Sequence, residues 1–257
     1  MANILTVGDI HMKADLVLPI IDSALRHHEV DKIIFMGDYF DEWGQNNYEE
    51  TIDLLSKWIK EKRKNYEVVC LIGNHDAPYL AESPRHYSSK DPQISNIISS
   101  ALFHDFQAQF SYEADGWLFC HGGEVDEIKL DSCYLQPLPD TQESRRLAFQ
   151  EDRMIGRARG GTSYVGSLIW CDYDAELLVY GNSIYPKQVV AHSPQKTISA
   201  IVPHPERSEE QFICVDTFSL TPKHQTVGDG SLLLLKDGVP GVIKTMYVEL
   251  VKQKYKK

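Results

Sequence analysis

The chain has 257 residues, 42 % hydrophobic and 25 % charged, with a formal net charge of −11. That balance fits a globular protein with one substantial core. It argues against an extended nucleic-acid or anionic-membrane surface, since both need a basic face. No apolar run approaches the roughly 18–20 residues of a membrane span. MANILTVGD has neither a basic start nor a small-residue cleavage site, so no secretory signal is read. The five cysteines are scattered and form no C-x-x-C pair, and a reducing cytoplasm is the expected compartment.

In chain order, strand-length apolar runs alternate with amphipathic stretches. ILTV (4–7) precedes a helix expected to bury Ile20, Ile21, Ala24 and Leu25, with Pro19 near its start. KIIFM (32–36) precedes a helix whose inward face is Ile52, Leu55, Trp58 and Ile59, and VVCLI (68–72) is the third strand. These runs are apolar on both faces, as expected of strands covered by helices on either side. WLFC (117–120) and QVVA (188–191) bracket a mostly helical stretch. Beyond them, ISAIV, FICV, SLLLL and TMYVEL read as shorter β-like runs separated by turn-forming pieces such as KDG and GDG. VKQKYKK reads as a frayed tail. With no repeat and no linker, residues 1–257 are expected to form a single α/β domain.

Five of these strands end on the same kind of residue. ILTV runs into Gly8-Asp9-Ile10-His11, and KIIFM into Gly37-Asp38-Tyr39-Phe40-Asp41. VVCLI runs into Gly73-Asn74-His75-Asp76, WLFC into His121-Gly122-Gly123, and QVVA into His192. In an open α/β sheet, ligands collect outside the carboxyl ends of strands. Each motif alone is weak, because a single Asp after a strand is commonly a helix cap and a single buried His a satisfied core residue. Together they deliver carboxylates and imidazoles without thiolates, a donor set suited to Mn, Fe, Zn or Co.

The series D-x-H, G-D-x-x-D, G-N-H-D, H-G-G and a late His resembles the calcineurin-like metallophosphoesterases. FCHGGE (119–124), GSLIWCDYD (166–174) and FICVDTF (212–218) look like the phosphoprotein phosphatase branch. The resemblance implies a four-layer αββα sandwich with a dinuclear site at the strand C-terminal ends. Asp9 and His11 would bind the first of two divalent metals, with manganese favoured over Fe, Zn or Co. Asp38 would bridge both metals, and Asn74, His121 and His192 would complete the second. A hydroxide bridging metals about 3.5–4 Å apart would attack phosphorus. His75 would protonate the leaving oxygen, oriented by Asp41, with Asp76 behind the ligands.

The chain also departs from the branch. Glu42 stands where the branch places an arginine that grips the phosphate, and no arginine occurs between Asp172 and Ala191. The expected substitutes are Arg157 and Arg159, beside Gly156, Gly160 and Gly161. Arg145, Arg146 and Arg153 are expected on a solvated helix, paired with Glu143, Glu151 and Asp152. In the irregular stretch 77–93, Tyr79, Arg85, His86 and Tyr87 are candidate substrate contacts, while most of the stretch reads as a plain surface loop. The expected activity is hydrolysis of a phosphomonoester, from phosphorylated protein or a small phosphate ester. A phosphodiesterase or dinucleoside polyphosphate hydrolase on the same core is the alternative.

Overall fold

A computed structural model describes residues 1–81, 94–198 and 209–255. The expected loop residues Arg85, His86 and Tyr87, and nearly all of ISAIV, lie outside the described residues. Strand β1 (Ile4–Val7) leads to helix α1 (Ala14–His27), β2 (Lys32–Phe35), α2 (Tyr48–Lys62) and β3 (Glu67–Cys70). The three strands pair in parallel, as apolar runs joined by helices must. Short helices α3 (Ala77–Leu80) and α4 (Ser95–Ser100) follow, then β4 (Ser111–Ala114), β5 (Trp117–Cys120), α5 (Ser132–Leu135), α6 (Gln142–Arg153) and α7 (Leu178–Tyr180). The chain continues through β6 (Lys187–Val190), β7 (Gln211–Cys214), β8 (Leu232–Lys236), β9 (Val239–Ile243) and α8 (Tyr247–Lys254).

Two sheets result, ordered β3-β2-β1-β8-β9 and β4-β5-β6-β7. Period-two alternation splits each strand between two cores. Ile4, Ile34, Leu233 and Leu235 of the first sheet meet Trp117, Phe119, Val189 and Ile213 of the second. The opposite face of the first sheet, through Leu5, Val7, Ile33 and Phe35, packs on Ile21 of α1, Leu55 and Ile59 of α2 and Val251 of α8. Over the second sheet, Leu118, Val190 and Phe212 are covered by Leu168, Tyr173 and Leu177. The expected αββα layering is present, with its last layer reduced to short helical turns. Among the described residues no helix is long and apolar enough to cross a membrane.

Some elements differ from expectation. Helix α1 begins at Ala14, so Pro19 lies inside it rather than near its start. TMYVEL is not a strand: Tyr247 and Val251, one helical turn apart, are buried against the first core, and the segment is helical. Burial of that one face overrides β-favouring Val and Tyr. The tail is tied down as far as Tyr255, where Lys254 pairs with Asp15 at 2.6 Å and the Tyr255 ring stacks on His224. VPGVI forms β9, an edge strand where Pro240 is tolerated, joined to β8 through Asp237 and Gly238 at φ +51° and +78°.

Candidate metal centre

The exits of β1, β2, β3 and β6 open into one cavity of about 410 Å3. Asp9, His11, Asp38, Asp41, Asn74, His75 and His192 line it, together with Arg159, Trp170 and Asp216. His121, after β5, is fully buried behind them, with Nε2 3.0 Å from Asn74 Oδ1 and 3.4 Å from Asp38 Oδ2. Close approach of the exits requires glycine. A Cβ on Gly73 would fall 2.0 Å from Asp38 Oδ1, and one on Gly8 would fall 2.1 Å from the Val215 carbonyl.

The rim is also where the backbone is strained. His11, Met12, Asp38, Asp41 and His192 have φ between +41° and +64°, in the left-handed region. Such residues cost on the order of 1–3 kcal/mol each and persist where the surroundings fix them. Here the His11 and Met12 amides donate to the Asp38 and Tyr39 carbonyls at 2.8 and 2.9 Å. Asp76 braces the same turns, accepting from the Asp38, Gly73 and Tyr39 amides at 2.7, 2.9 and 3.1 Å.

Hydrogen bonds set the direction of the lone pairs. His121 Nδ1 donates to the Met36 carbonyl at 2.8 Å, which aims Nε2 at Asn74 Oδ1 and Asp38 Oδ2. His11 Nδ1 lies 3.1 and 3.0 Å from the Phe40 and Asp41 carbonyls, so its Nε2 faces Asp38 Oδ2 at 3.5 Å. Asp38 Oδ2 thus lies between two imidazoles, while its Oδ1 accepts from the His75 amide at 2.8 Å. Ligating atoms of Asp9, Asp38 and His121 lie within 4.8 Å of one another. Two buried atoms, Asp9 Oδ1 and His192 Nε2, have no hydrogen-bond partner. Orphaned donor atoms beside converging acceptors are what a divalent cation satisfies, and imidazoles fixed through their second nitrogen are the usual support. The donor set fits the metals expected from the sequence.

The charges agree. Burial, with the nearby charges of Asp216 and Asp38, pushes Asp9 well above the ordinary carboxyl range. Burial and Arg159 hold His192 well below the ordinary imidazole value, so its ring is neutral. Asp38 is held low because its burial is outweighed by His121, His75 and His11. Burial alone would lower His75, yet Asp38 and Asp41 push it up to about 9. Asp41 Oδ2 lies 3.4 Å from His75 Nδ1, and its Oδ1 accepts from the Tyr48 and Tyr79 hydroxyls at 3.0 and 2.6 Å. Tyr79 is therefore not a substrate contact but a fully buried support of Asp41.

The arginines separate. Arg159 lines the cavity, its Nε 2.8 Å from Asp172 and its Nη2 2.5 Å from Ser193 Oγ. Arg157, two residues earlier on the same 3-10 turn, is exposed over the Tyr164 ring and does not line the cavity. Arg145 does not lie on a solvated face either: it binds Asp140 at 2.7 Å and the Leu80 carbonyl at 3.2 Å, over the Phe103 ring. Two features escaped the sequence reading. Asp216 follows β7 as the expected site residues follow their strands, it lines the same cavity, and its carboxyl is pushed up to about 6, chiefly by burial. Lys13, fully buried, pairs with Glu42 at 2.6 Å, so the residue in the arginine position neutralises a lysine.

The model of the calcineurin-like phosphoesterase family (Metallophos) matches residues 2–194. No curated protein sequence matches the chain. A cold-active protein-tyrosine phosphatase of a psychrophile, Shewanella sp., is similar over 95 % of this chain and 81 % of its own, at 17 % identity and a TM-score of 0.54. A Saccharomyces cerevisiae serine/threonine phosphatase with similarity to human phosphatase PP5 is similar over 95 % and 80 %, at 14 % identity and 0.54. A hypothetical protein from Pyrococcus horikoshii OT3 is similar over 100 % and 93 %, at 12 % identity and 0.53. At such identities these likenesses speak for the fold, and the family match speaks for the chemistry. The chain belongs to the calcineurin-like phosphoesterase family, hydrolases of phosphate esters.

Proposed function

We propose that the chain is a phosphomonoesterase with two divalent metals, manganese being favoured, held by Asp9, His11, Asp38, Asn74, His121 and His192. The observation that supports it is Asp38 Oδ2, set 3.5 and 3.4 Å from the Nε2 atoms of two imidazoles. A carboxylate oxygen in that position can be shared by two cations. Such metals supply Lewis acidity, lowering the pKa of water and screening phosphoryl charge. The protein's own groups do the rest. His75, with Nδ1 toward Asp41, turns Nε2 to the cavity and can give its proton to the leaving oxygen. Asp41 keeps the ring protonated against the positive charge of the site. Arg159 presents its guanidinium edge to the phosphate while Asp172 and Ser193 fix its direction.

One observation favours the diester or dinucleoside polyphosphate alternative. Arg159 already shares its charge with Asp172, which leaves less to hold a dianionic monoester. The deciding experiment loads the protein with manganese, counts bound metal, and measures phosphoserine peptide, phosphotyrosine peptide, bis-para-nitrophenyl phosphate and diadenosine tetraphosphate. Two metals per chain, falling in Asp38→Asn, with monoesters preferred, is the expected result. Preference for the diester or the dinucleotide would replace the monoester reading, and full metal content in Asp38→Asn would end the shared-carboxylate assignment.

A further inference from the structure

We propose that the site carries a built aromatic subsite for the leaving group, with Trp43 as its face, and that the preferred substrates are phosphate esters bearing a planar aromatic ring. This rests on the phosphomonoesterase reading above. The cavity divides chemically. Its polar side holds the ligand residues, and the remainder includes Trp43, Pro194, Leu220 and Val227. Trp43 is 46 % exposed and Val227 37 % exposed, so the largest apolar surface of the cavity faces solvent. A flat ring laid there would remove it from water.

The wall is held in place on both sides. The Trp43 amide donates to Glu42 Oε1 at 2.9 Å, while Glu42 Oε2 takes Lys13 Nζ at 2.6 Å. Lys13 Nζ also donates to the His11 carbonyl at 3.1 Å. One buried ion pair therefore fixes the indole's backbone and a proposed metal ligand together. Across the opening, Leu220 is bridged to Thr226 beside Val227, and His224 in the same turn stacks on Tyr255 with centroids 4.4 Å apart. The Tyr255 hydroxyl accepts from Gln45 Nε2 at 3.1 Å, two residues beyond Trp43. Helix α8 is thus followed directly by a residue that ties the two walls to each other.

Position selects the leaving group as occupant. A monoester has one organic substituent, and it departs from the side of the proton donor. Trp43 follows Asp41, the partner of His75, by two residues and lines the same cavity. A seryl side chain is too small to reach across this wall, whereas a phenolic ring or a nucleoside base presents the flat face that stacks on indole. Phenolic and nucleoside esters share that chemistry and differ in whether the ring is bonded to the ester oxygen.

The test uses the full, metal-loaded chain and O-phospho-tyrosine, adenosine 5′-monophosphate and O-phospho-serine. Phenolate leaves more readily than an alkoxide, so the quantity read is the ratio of variant to parent kcat/KM on each substrate, in which intrinsic reactivity cancels. Trp43→Ala should lose about tenfold more on an aromatic ester than on phosphoserine, through KM, and Trp43→Phe should restore most of it. Selective loss on phosphotyrosine assigns a ring at the ester oxygen, and selective loss on the nucleotide assigns a base one sugar away. Equal effects on all three substrates overturn the subsite. Should no substrate turn over, the phosphomonoesterase reading fails, and calorimetry with phenylphosphonate and methylphosphonate still decides the subsite. The parent should bind the phenyl compound about tenfold more tightly and Trp43→Ala should close that gap. No gap in the parent overturns it.

Discussion

Glu42 shows how one reversed charge is accommodated by a residue far away in sequence. Lys13 has no exposed surface, and its Nζ meets Glu42 at 2.6 Å and the His11 carbonyl at 3.1 Å. Burial lowers the lysine's proton affinity, and Glu42 opposes that shift. A buried pair gains little over an apolar substitute, but losing one partner strands the other. Lys13→Met should therefore cost about 3–5 kcal/mol in urea unfolding. Lys13→Met with Glu42→Leu should recover most of that loss. A single variant as stable as the parent would show that Glu42 finds water or another donor. The pair was not legible in the sequence. A lysine at the start of an amphipathic helix reads as solvated, and Glu42 read only as a missing arginine.

At the scale of elements, the site is made by strands that stop, and by glycines that let their ends approach. Gly73→Ala places a Cβ 2.0 Å from Asp38 Oδ1 and 2.6 Å from the Asp38 amide. Backbone cannot yield as a side-chain tip does, so the variant should lose about 1–3 kcal/mol and take up metal more weakly. Gly116→Ala, in the turn between β4 and β5, has φ +81° but nothing within 4 Å of its Cβ. It should lose some stability and keep its metal affinity, measured by calorimetry. Equal metal affinity in the Gly73 variant would mean that Asp38 can move without consequence. The strand exits were legible because β1, β2, β3, β5 and β6 each carry apolar residues up to their exit, and whatever polar residue follows a buried strand emerges at its rim. The same rule covers Asp216 after β7, the FICV run, although the sequence alone assigns that residue no role. Helix α8 was not legible, since burial of Tyr247 and Val251 in the first core, not local propensity, decides its conformation. Nor could spacing tell Arg159 from Arg157, because a single 3-10 turn points one inward and the other out.

Across the whole molecule, the metal-free chain holds protonatable groups that it would bind differently unfolded. Asp216 is raised to about 6, chiefly by burial, and His75 is raised to about 9 by Asp38 and Asp41 against the effect of burial. Each group binds protons more tightly folded than unfolded, so its contribution is full below the unfolded pKa and disappears as pH rises through the folded one. For Asp216 that window runs from about 4 to about 6, and for His75 from about 6.5 to about 9. Asp38, held low, acts in the opposite sense, but its contribution is complete once pH exceeds the ordinary carboxyl range. His11 and His192, both held low by burial, act in the opposite sense up to about the ordinary imidazole value of 6.5, so the metal-free protein should lose stability from about pH 7 toward pH 9. A divalent cation held by Asp9 and Asp38, beside Asp216, would replace the protons that crowding demands and would compete with them. Its stabilising effect should therefore grow with pH. Differential scanning calorimetry with chelator and with manganese, at unit steps from pH 5 to 9, measures both trends. The two Tm curves should be close at pH 5 and diverge upward. Curves that stay parallel across that range would mean that protons and metal do not share these residues.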